Sequence, residues 1–475
     1  MKRIAIIGGG ISGLSAAFAL EEQRAAGVQV DYTLYESSSR LGGVLRTERV
    51  DGCLIEAGPD SFITEKPWAA ELCRQLGIGD QLIGSNDAAR KTYIVVKGLL
   101  VPIPDGLMFL VPTKITPAVL SPLFSLGSKL RMAREWFHPP RRSDADETVA
   151  SLVERHYGRE VVERLADPML SGVYGGEAGE LSVRAVLPRF AEMEAQHGSL
   201  GRAMVAARKK MAQTGDSAKP PLFTSLKDGM QQLTDTLLTR LPPKSLRTNS
   251  AVQTVQSERG SWLVSAGYKS DVFDAVIIAT PAGVAATLLQ IANPALAAEL
   301  AGIRYSSSAT VALGYAADVR AALPAGFGFL VPRTEALRML AATFVHNKFP
   351  HRAPRDRALI RCFFGGSRDE AVLNLDPEQI VQIARQELRQ ILGISAEPLF
   401  TRVFKWPASM AQYAVGHLEK LARIERLRRD SPGLALAGNA YRGIGVPDCV
   451  RSGKQAVAQS LEFLGMAEPE PAAAR

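Results

Sequence analysis

The spacing of apolar and polar positions changes several times along the chain, and each change marks an element. An apolar run from Arg3 to Ile7 stops at glycines; small and apolar residues at helical spacing follow through Leu20 to Arg24, and a second apolar run reaches from Val30 to Glu36. This order predicts a strand, glycine turn, helix and strand, a βαβ unit. Near the other end, Gly433 to Gly438 reads as a short buried strand breaking into a glycine loop, and Val450 to Leu464 as a helix carrying small residues. Both ends read as parts of one domain. Residues 150 to 210 combine helix formers with heptad-like apolar spacing, which predicts a helical insertion. The alternating text from Leu246 to Thr280 predicts a strand-rich return to a nucleotide-type sheet, and the runs Ala309–Tyr315 and Ala358–Phe364 predict a second sheet domain.

The stretch from Leu99 to Trp136 breaks the pattern. Pro102, Pro104, Pro112, Pro117 and Pro122 interrupt an apolar text that ends in a basic-edged helical segment, Lys129 to Trp136. Prolines this frequent exclude one continuous membrane-spanning helix. Two readings stand: an amphipathic surface that lies on a membrane, and a packing segment around an apolar substrate channel.

With 475 residues, 46% hydrophobic and 22% charged, the chain is long enough for two or three cored domains and is not disordered in type. The tail from Glu468 to Arg475 is expected to fray. The start, Met1-Lys2-Arg3, leads into glycines rather than a cleavage site, so no signal peptide is expected and the protein is placed in the cytosol. Cys53, Cys73, Cys362 and Cys449 form no CxxC pair, which argues against a zinc site or disulfide framework and for reduced, buried thiols. A net charge of +8 allows anionic partners. Its cations are scattered rather than striped with aromatics, so nucleic acid is excluded as a partner and a membrane surface or an acidic small molecule remains.

Gly8, Gly10 and Gly13 fit G-x-G-x-x-G, with Ile11 and Ser12 opening the helix. Missing side chains let backbone amides approach a pyrophosphate, which the positive helix N-terminus stabilises. Glu36, closing the second strand, can accept both ribose hydroxyls of an adenosine and disfavours a 2′-phosphate. No Ser-His-Asp order, HExxH or paired carboxylates stand out, and no general base or metal ligand is named.

Beyond that turn, Arg40, Gly42 and Gly43, then Gly58, Pro59 and Asp60, resemble the extension found in the large flavoprotein group of amine oxidases, phytoene desaturases and porphyrinogen oxidases. The segment Ala437 to Asp448, with Gly438, Ile444, Gly445 and Val446, resembles that group's C-terminal flavin loop; Val252 matches an adenine-binding backbone position and Trp406 a position beside the ring. The resemblance implies FAD as the cofactor.

Three stretches, Gly58–Phe62, Leu170–Gly176 with Leu181–Arg184, and Gly443–Cys449, resemble the porphyrinogen oxidases of haem biosynthesis in particular. Met410–Tyr413, Val415–His417 and the run Val111–Pro117 extend the similarity over the whole chain, nearest in flavour to the soluble bacterial branch. What this implies is hydride transfer from a porphyrinogen to FAD in three two-electron steps, with molecular oxygen as acceptor and hydrogen peroxide as by-product. Gly172, Gly175 and Gly176 match the family's active-site loop, Lys66 and Lys91, with Arg90, its cationic rim, and Phe329 and Phe344 its apolar walls. Thr92 stands where plant and animal protoporphyrinogen oxidases carry a propionate-pairing arginine, which favours coproporphyrinogen III over protoporphyrinogen IX.

The implied architecture is α/β: a Rossmann-like FAD-binding domain of the amine-oxidase and p-hydroxybenzoate-hydroxylase type, a mixed-sheet substrate domain and a helical insertion. FAD-binding parts are placed at 1–70, 211–285 and 406–475, substrate parts at 71–104 and 286–405, and the insertion at 105–210 as a membrane-surface or channel domain. A homodimer, peripheral contact with the cytoplasmic face of the membrane, and transient handover of product to the next haem-pathway enzyme are compatible with it. Alternatives on the same scaffold are an amine oxidase or carotenoid desaturase, and, in another class, a non-catalytic GDP-dissociation-inhibitor-like binding protein.

Overall fold

Strand β1 (Lys2–Ile7) forms because an apolar run bounded by glycine can be buried on both faces, as the interior of a parallel sheet requires. In the computed structural model, which describes residues 1–108, 111–112, 115–141, 145–213 and 220–466, it is the middle of a five-stranded parallel sheet. Its companions are β2 (Val30–Tyr35), β3 (Leu246–Arg247), β4 (Ala275–Ile278) and β5 (Leu434–Leu436), in the order β3-β2-β1-β4-β5. Thr113 and Lys114 of the Val111–Pro117 run, and the tail from Glu468, lie outside the described residues.

Helix α1 (Ile11–Ala25) and helix α2 (Val446–Phe463) pack together on this sheet, and Gly453 lets them approach: a Cβ there would overlap the Ser12 carbonyl. The helix Trp68–Gln75, which the boundary at 71 divides, lies whole against them, with Ala69, Leu72 and Cys73 in the same core as Leu14 and Val450.

The return from Leu246 to Thr280 differs from expectation in one respect. Only β3 and β4 join the parallel sheet; Val252–Glu258, Ser261–Ala266 and Lys269–Phe273 form a separate antiparallel meander. Its first turn contains Arg259 and Gly260 at φ of 50° and 82°, the left-handed geometry that tight hairpins use.

A seven-stranded mixed sheet supplies the second layer, ordered Phe400–Ala411, Tyr305–Ala316, Arg357–Gly365, Ala341–Phe344, Gly328–Leu330, Thr92–Val96, Leu99–Pro102. Its pairings are antiparallel except between Gly328–Leu330 and Thr92–Val96. Trp406 lies within the edge strand Phe400–Ala411, so the boundary set at 406 cuts that strand. Helices spanning 115–213 gather around Leu152, Tyr157, Leu165 and Leu170, and this cluster meets the sheet at Ile94, Ala411 and Tyr413. All four cysteines are buried and free.

Candidate active site

The carboxyl ends of the parallel strands open one crevice, where such sheets bind ligands. Gly8 follows β1, Glu36 follows β2, Thr280 comes just beyond β4 and Gly438 just beyond β5. Gly8 takes φ of 107°, and a Cβ on it would stand 2.7 Å from the Ala279 carbonyl oxygen. A Cβ on Gly13 would overlap the Gly8 oxygen, whereas one on Gly10 would meet nothing within 4 Å. The turn is therefore closed behind and open in front. Helix α1 begins at Gly10 with no side-chain cap and no acidic residue in its first turn, leaving its first N–H groups for an external anion.

Glu36 stands beside this turn. Its Oε2 accepts from the Gly9 N–H at 2.8 Å and its Oε1 from the Ser38 N–H at 2.8 Å. The Ser250 N–H donates to the Glu36 carbonyl at 2.8 Å, which brings the start of the Val252 strand alongside. The Arg40 guanidinium donates to the carbonyls of Leu41, Gly43 and Leu45, so it braces the glycine extension instead of pointing into the groove. Gly43 abuts Gly10, and a Cβ on Gly58 would overlap the Val44 carbonyl. The groove thus runs from the Gly8–Gly13 turn through Gly42–Val44 to Gly58, Pro59 and Asp60.

At its far end, the Ala57 carbonyl accepts from Trp406 Nε1 at 2.8 Å, Thr310 Oγ1 at 3.1 Å and Arg361 Nη2 at 3.2 Å. The opposite wall, Gly438 to Val446, is held by two tyrosines that sequence reading missed. Tyr413 Oη donates to the Asn439 carbonyl and accepts from the Gly443 N–H, both at 2.8 Å, and Tyr305 Oη donates to Asn439 Oδ1 at 3.2 Å. Burial pushes the Tyr305 phenol up to about 12, so it stays protonated.

The residues expected to meet substrate are placed less uniformly. Gly172 is exposed, but Gly175 and Gly176 are buried against Ser306, Met410 and Gln412, where a Cβ would clash. Their small size therefore serves packing on the Phe400–Ala411 strand, and Gln412 Nε2 ties down the Tyr174 carbonyl at 2.8 Å. The Lys66 ammonium donates to the buried Asp448 carboxylate at 2.6 Å, latching α2. Lys91 is exposed, 5.3 Å from the Tyr93 ring centroid, Thr92 is half-buried, and Arg90 lies 3.9 Å from Asp87. Phe329 and Phe344, 1% and 0% exposed, sit in the sheet core with ring centroids 6.1 Å apart, so neither has a free face for a macrocycle. Sequence reading also missed Lys348, Arg352 and Arg361, which lie behind Asp60; Arg361, a lone cation inside the apolar run Ala358–Phe364, was the available signal.

Residues 11–461 match the model of the flavin containing amine oxidoreductase family. The chain belongs to that family. Within it, the chain is 34% identical to coproporphyrinogen III oxidase of Bacillus subtilis, across 98% of each chain. It is 31% identical to the enzyme of the same name from Staphylococcus aureus, across 98% of this chain and 100% of that one. The chloroplastic protoporphyrinogen oxidase of Nicotiana tabacum is 28% identical across 97% of this chain and 85% of its own length. Among solved structures, a candidate protoporphyrinogen oxidase from Exiguobacterium sp. 255-15 superposes with a TM-score of 0.87 at 30% identity, covering 98% of this chain and 99% of that one. This member of the flavin containing amine oxidoreductases is thus an oxidoreductase of the porphyrinogen oxidase branch, and its cofactor is FAD. The uncapped helix start, the open face at Gly10 and the Glu36 carboxylate fit such a dinucleotide.

Proposed function

We propose that this protein oxidises a porphyrinogen to the corresponding porphyrin in haem biosynthesis, with coproporphyrinogen III the favoured substrate and protoporphyrinogen IX a close second. The observation that carries this reading is similarity over nearly the whole chain to coproporphyrinogen III oxidases at 31–34% identity, against 28–29% for the plant protoporphyrinogen oxidases. Bound FAD supplies the hydride acceptor. Six electrons leave the substrate in three pairs, each as a hydride from a meso carbon together with a proton; of the three protons, two come from pyrrole nitrogens and one from the fourth meso carbon. Each pair passes on to one molecule of oxygen, which takes up two protons and becomes hydrogen peroxide.

The chain's own task is placement. The Gly8–Gly13 turn, Glu36 and Val252 would hold the dinucleotide; Gly58, Pro59, Asp60, Trp406 and Gly438–Val446 would fix the ring; Gly172, Thr92, Lys91 and Arg90 would face the substrate. Aerobic incubation with each porphyrinogen, read by porphyrin fluorescence and peroxide, tests the reading. Faster oxidation of coproporphyrinogen III is expected; a flavin-loaded protein that consumes neither faster than air alone would defeat it.

The reading extends to peripheral contact with an anionic membrane surface. In support, the helix Leu126–Glu135 and the turn after it expose Leu126, Leu130 and Phe137 at 79%, 68% and 80%, beside Lys129, Arg131 and Arg134. Apolar residues edged by cations suit an interface lined with anionic headgroups.

A further inference from the structure

Behind the Ala57–Asp60 loop lies a buried cluster of five charged side chains that neither the family match nor the groove explains. Lys348 Nζ donates to both oxygens of Asp60, at 2.9 and 3.2 Å, and to Ser61 Oγ at 3.2 Å, with the Phe223 ring centroid 4.4 Å away. Arg352, 0% exposed, gives one terminal nitrogen to Glu56 Oε1 and the Asp60 carbonyl, both at 3.0 Å, and to Ser225 Oγ at 2.6 Å. Arg361 Nη2 reaches the carbonyls of Gly58 at 2.5 Å and Ala57 at 3.2 Å.

Three basic side chains therefore face two acidic ones, Glu56 and Asp60, among the described residues; burial pushes Glu56 up and Lys348 down, and their ion pairs with Arg352 and Asp60 oppose that. Nε of Arg352 and Nε of Arg361 have no hydrogen-bond partner among the described residues, and the void they line, about 10 Å³, has room for a single water molecule. A buried charge left without a counter-ion acts at longer range than a surface charge, because little water screens it.

The loop these cations grip is the far end of the groove, and Arg361 holds its Ala57 and Gly58 carbonyls directly. Two-electron reduction of flavin with uptake of one proton leaves the ring with one negative charge. We propose that the excess positive charge of Lys348, Arg352 and Arg361 over Glu56 and Asp60 favours that reduced ring and raises the reduction potential of the bound FAD. The proposal rests on the placement of the flavin ring against Gly58–Asp60 argued above. Glu56 pairs with Arg352 and Asp60 with Lys348, which leaves Arg361, bonded to carbonyls alone, as the cation without a carboxylate; removing any one of the three cations cancels the excess.

The test is the midpoint potential of FAD in the holoprotein, titrated anaerobically with dithionite against a reference dye, so no porphyrinogen enters the measurement. Lys348→Met removes the excess charge and should make reduction about tenfold less favourable, about 30 mV lower for a two-electron couple. Lys348→Arg, which keeps the charge, should stay within threefold of the wild type. Glu56→Gln adds one net positive charge and should shift the potential the other way, so the proposal can be decided even if Lys348→Met loses its flavin. An unchanged potential in Lys348→Met, an equal fall in Lys348→Arg, or a fall in Glu56→Gln would each overturn it. A wild-type protein that holds FAD yet oxidises neither porphyrinogen would end the substrate reading and leave these potentials meaningful.

Discussion

Glu36 shows how one side chain can serve two ends. Its carboxylate takes N–H groups from Gly9 and Ser38, fixing the glycine turn, and it stands where the adenosine ribose is expected. Charge-assisted hydrogen bonds of this kind are worth about 1.5–3 kcal/mol each. Glu36→Ala should therefore weaken FAD retention by roughly tenfold or more, measured as flavin content after dialysis or by titration of the apoprotein; unchanged retention would remove Glu36 from the site. Such residues were legible because their chemistry is local: a turn that needs Gly8 at positive φ announces itself in the sequence. Lys66, Phe329 and Phe344 were not, because their partners come from distant segments. Nothing near Lys66 in sequence shows that Asp448 waits for it, and an aromatic in a strand looks the same whether it faces a cavity or the neighbouring sheet.

Among the elements, the helical layer carries a buried charge network of its own. His156 donates from Nδ1 to Glu135 and from Nε2 to Glu194, each at 3.1 Å, and Glu135 also accepts from the Leu200 N–H at 2.6 Å at the start of the helix Leu200–Gln213. Atoms of His138, His156 and Glu194 lie within 4.8 Å of one another, but a ring that donates from both nitrogens is an imidazolium, which makes this an ion network joining four helices. Burial alone would lower the His156 pKa; its bonds to Glu135 and Glu194 outweigh that and raise it. The stability it contributes is then complete below the unfolded value of about 6.5 and is lost as pH rises through the raised folded value. The melting temperature of His156→Gln should fall well below that of the wild type at pH 6, and the gap should narrow towards pH 9. A gap constant with pH would show that only packing was removed. The helices themselves were legible from their spacing. The strands from Val252 to Phe273 were legible too, but not that they form a sheet of their own, because alternation gives strands without saying which sheet they join.

For the whole molecule, the architecture was legible from the glycine turn at one end and the strand, loop and helix at the other. The exposed stripe was only half legible: its apolar and basic residues were plain, but not which of them faced outward. Leu126→Ser with Phe137→Ser should reduce flotation with vesicles containing anionic lipid and leave the low binding to neutral vesicles as it was. Equal recovery of wild type and variant with anionic vesicles would show that this face does not touch membrane. Among the described residues no helix is long and apolar enough to cross one.

The pairing of α1 with α2, and the parallel sheet that joins β1 to strands from three remote segments, also set an order of events in the cell. The phosphate turn leaves the ribosome long before the wall that faces it. Until Gly438 and α2 emerge, the glycine turn has no lid to close against a dinucleotide. A complete dinucleotide site therefore exists only once α2 has emerged, and until then the nascent chain carries half of one.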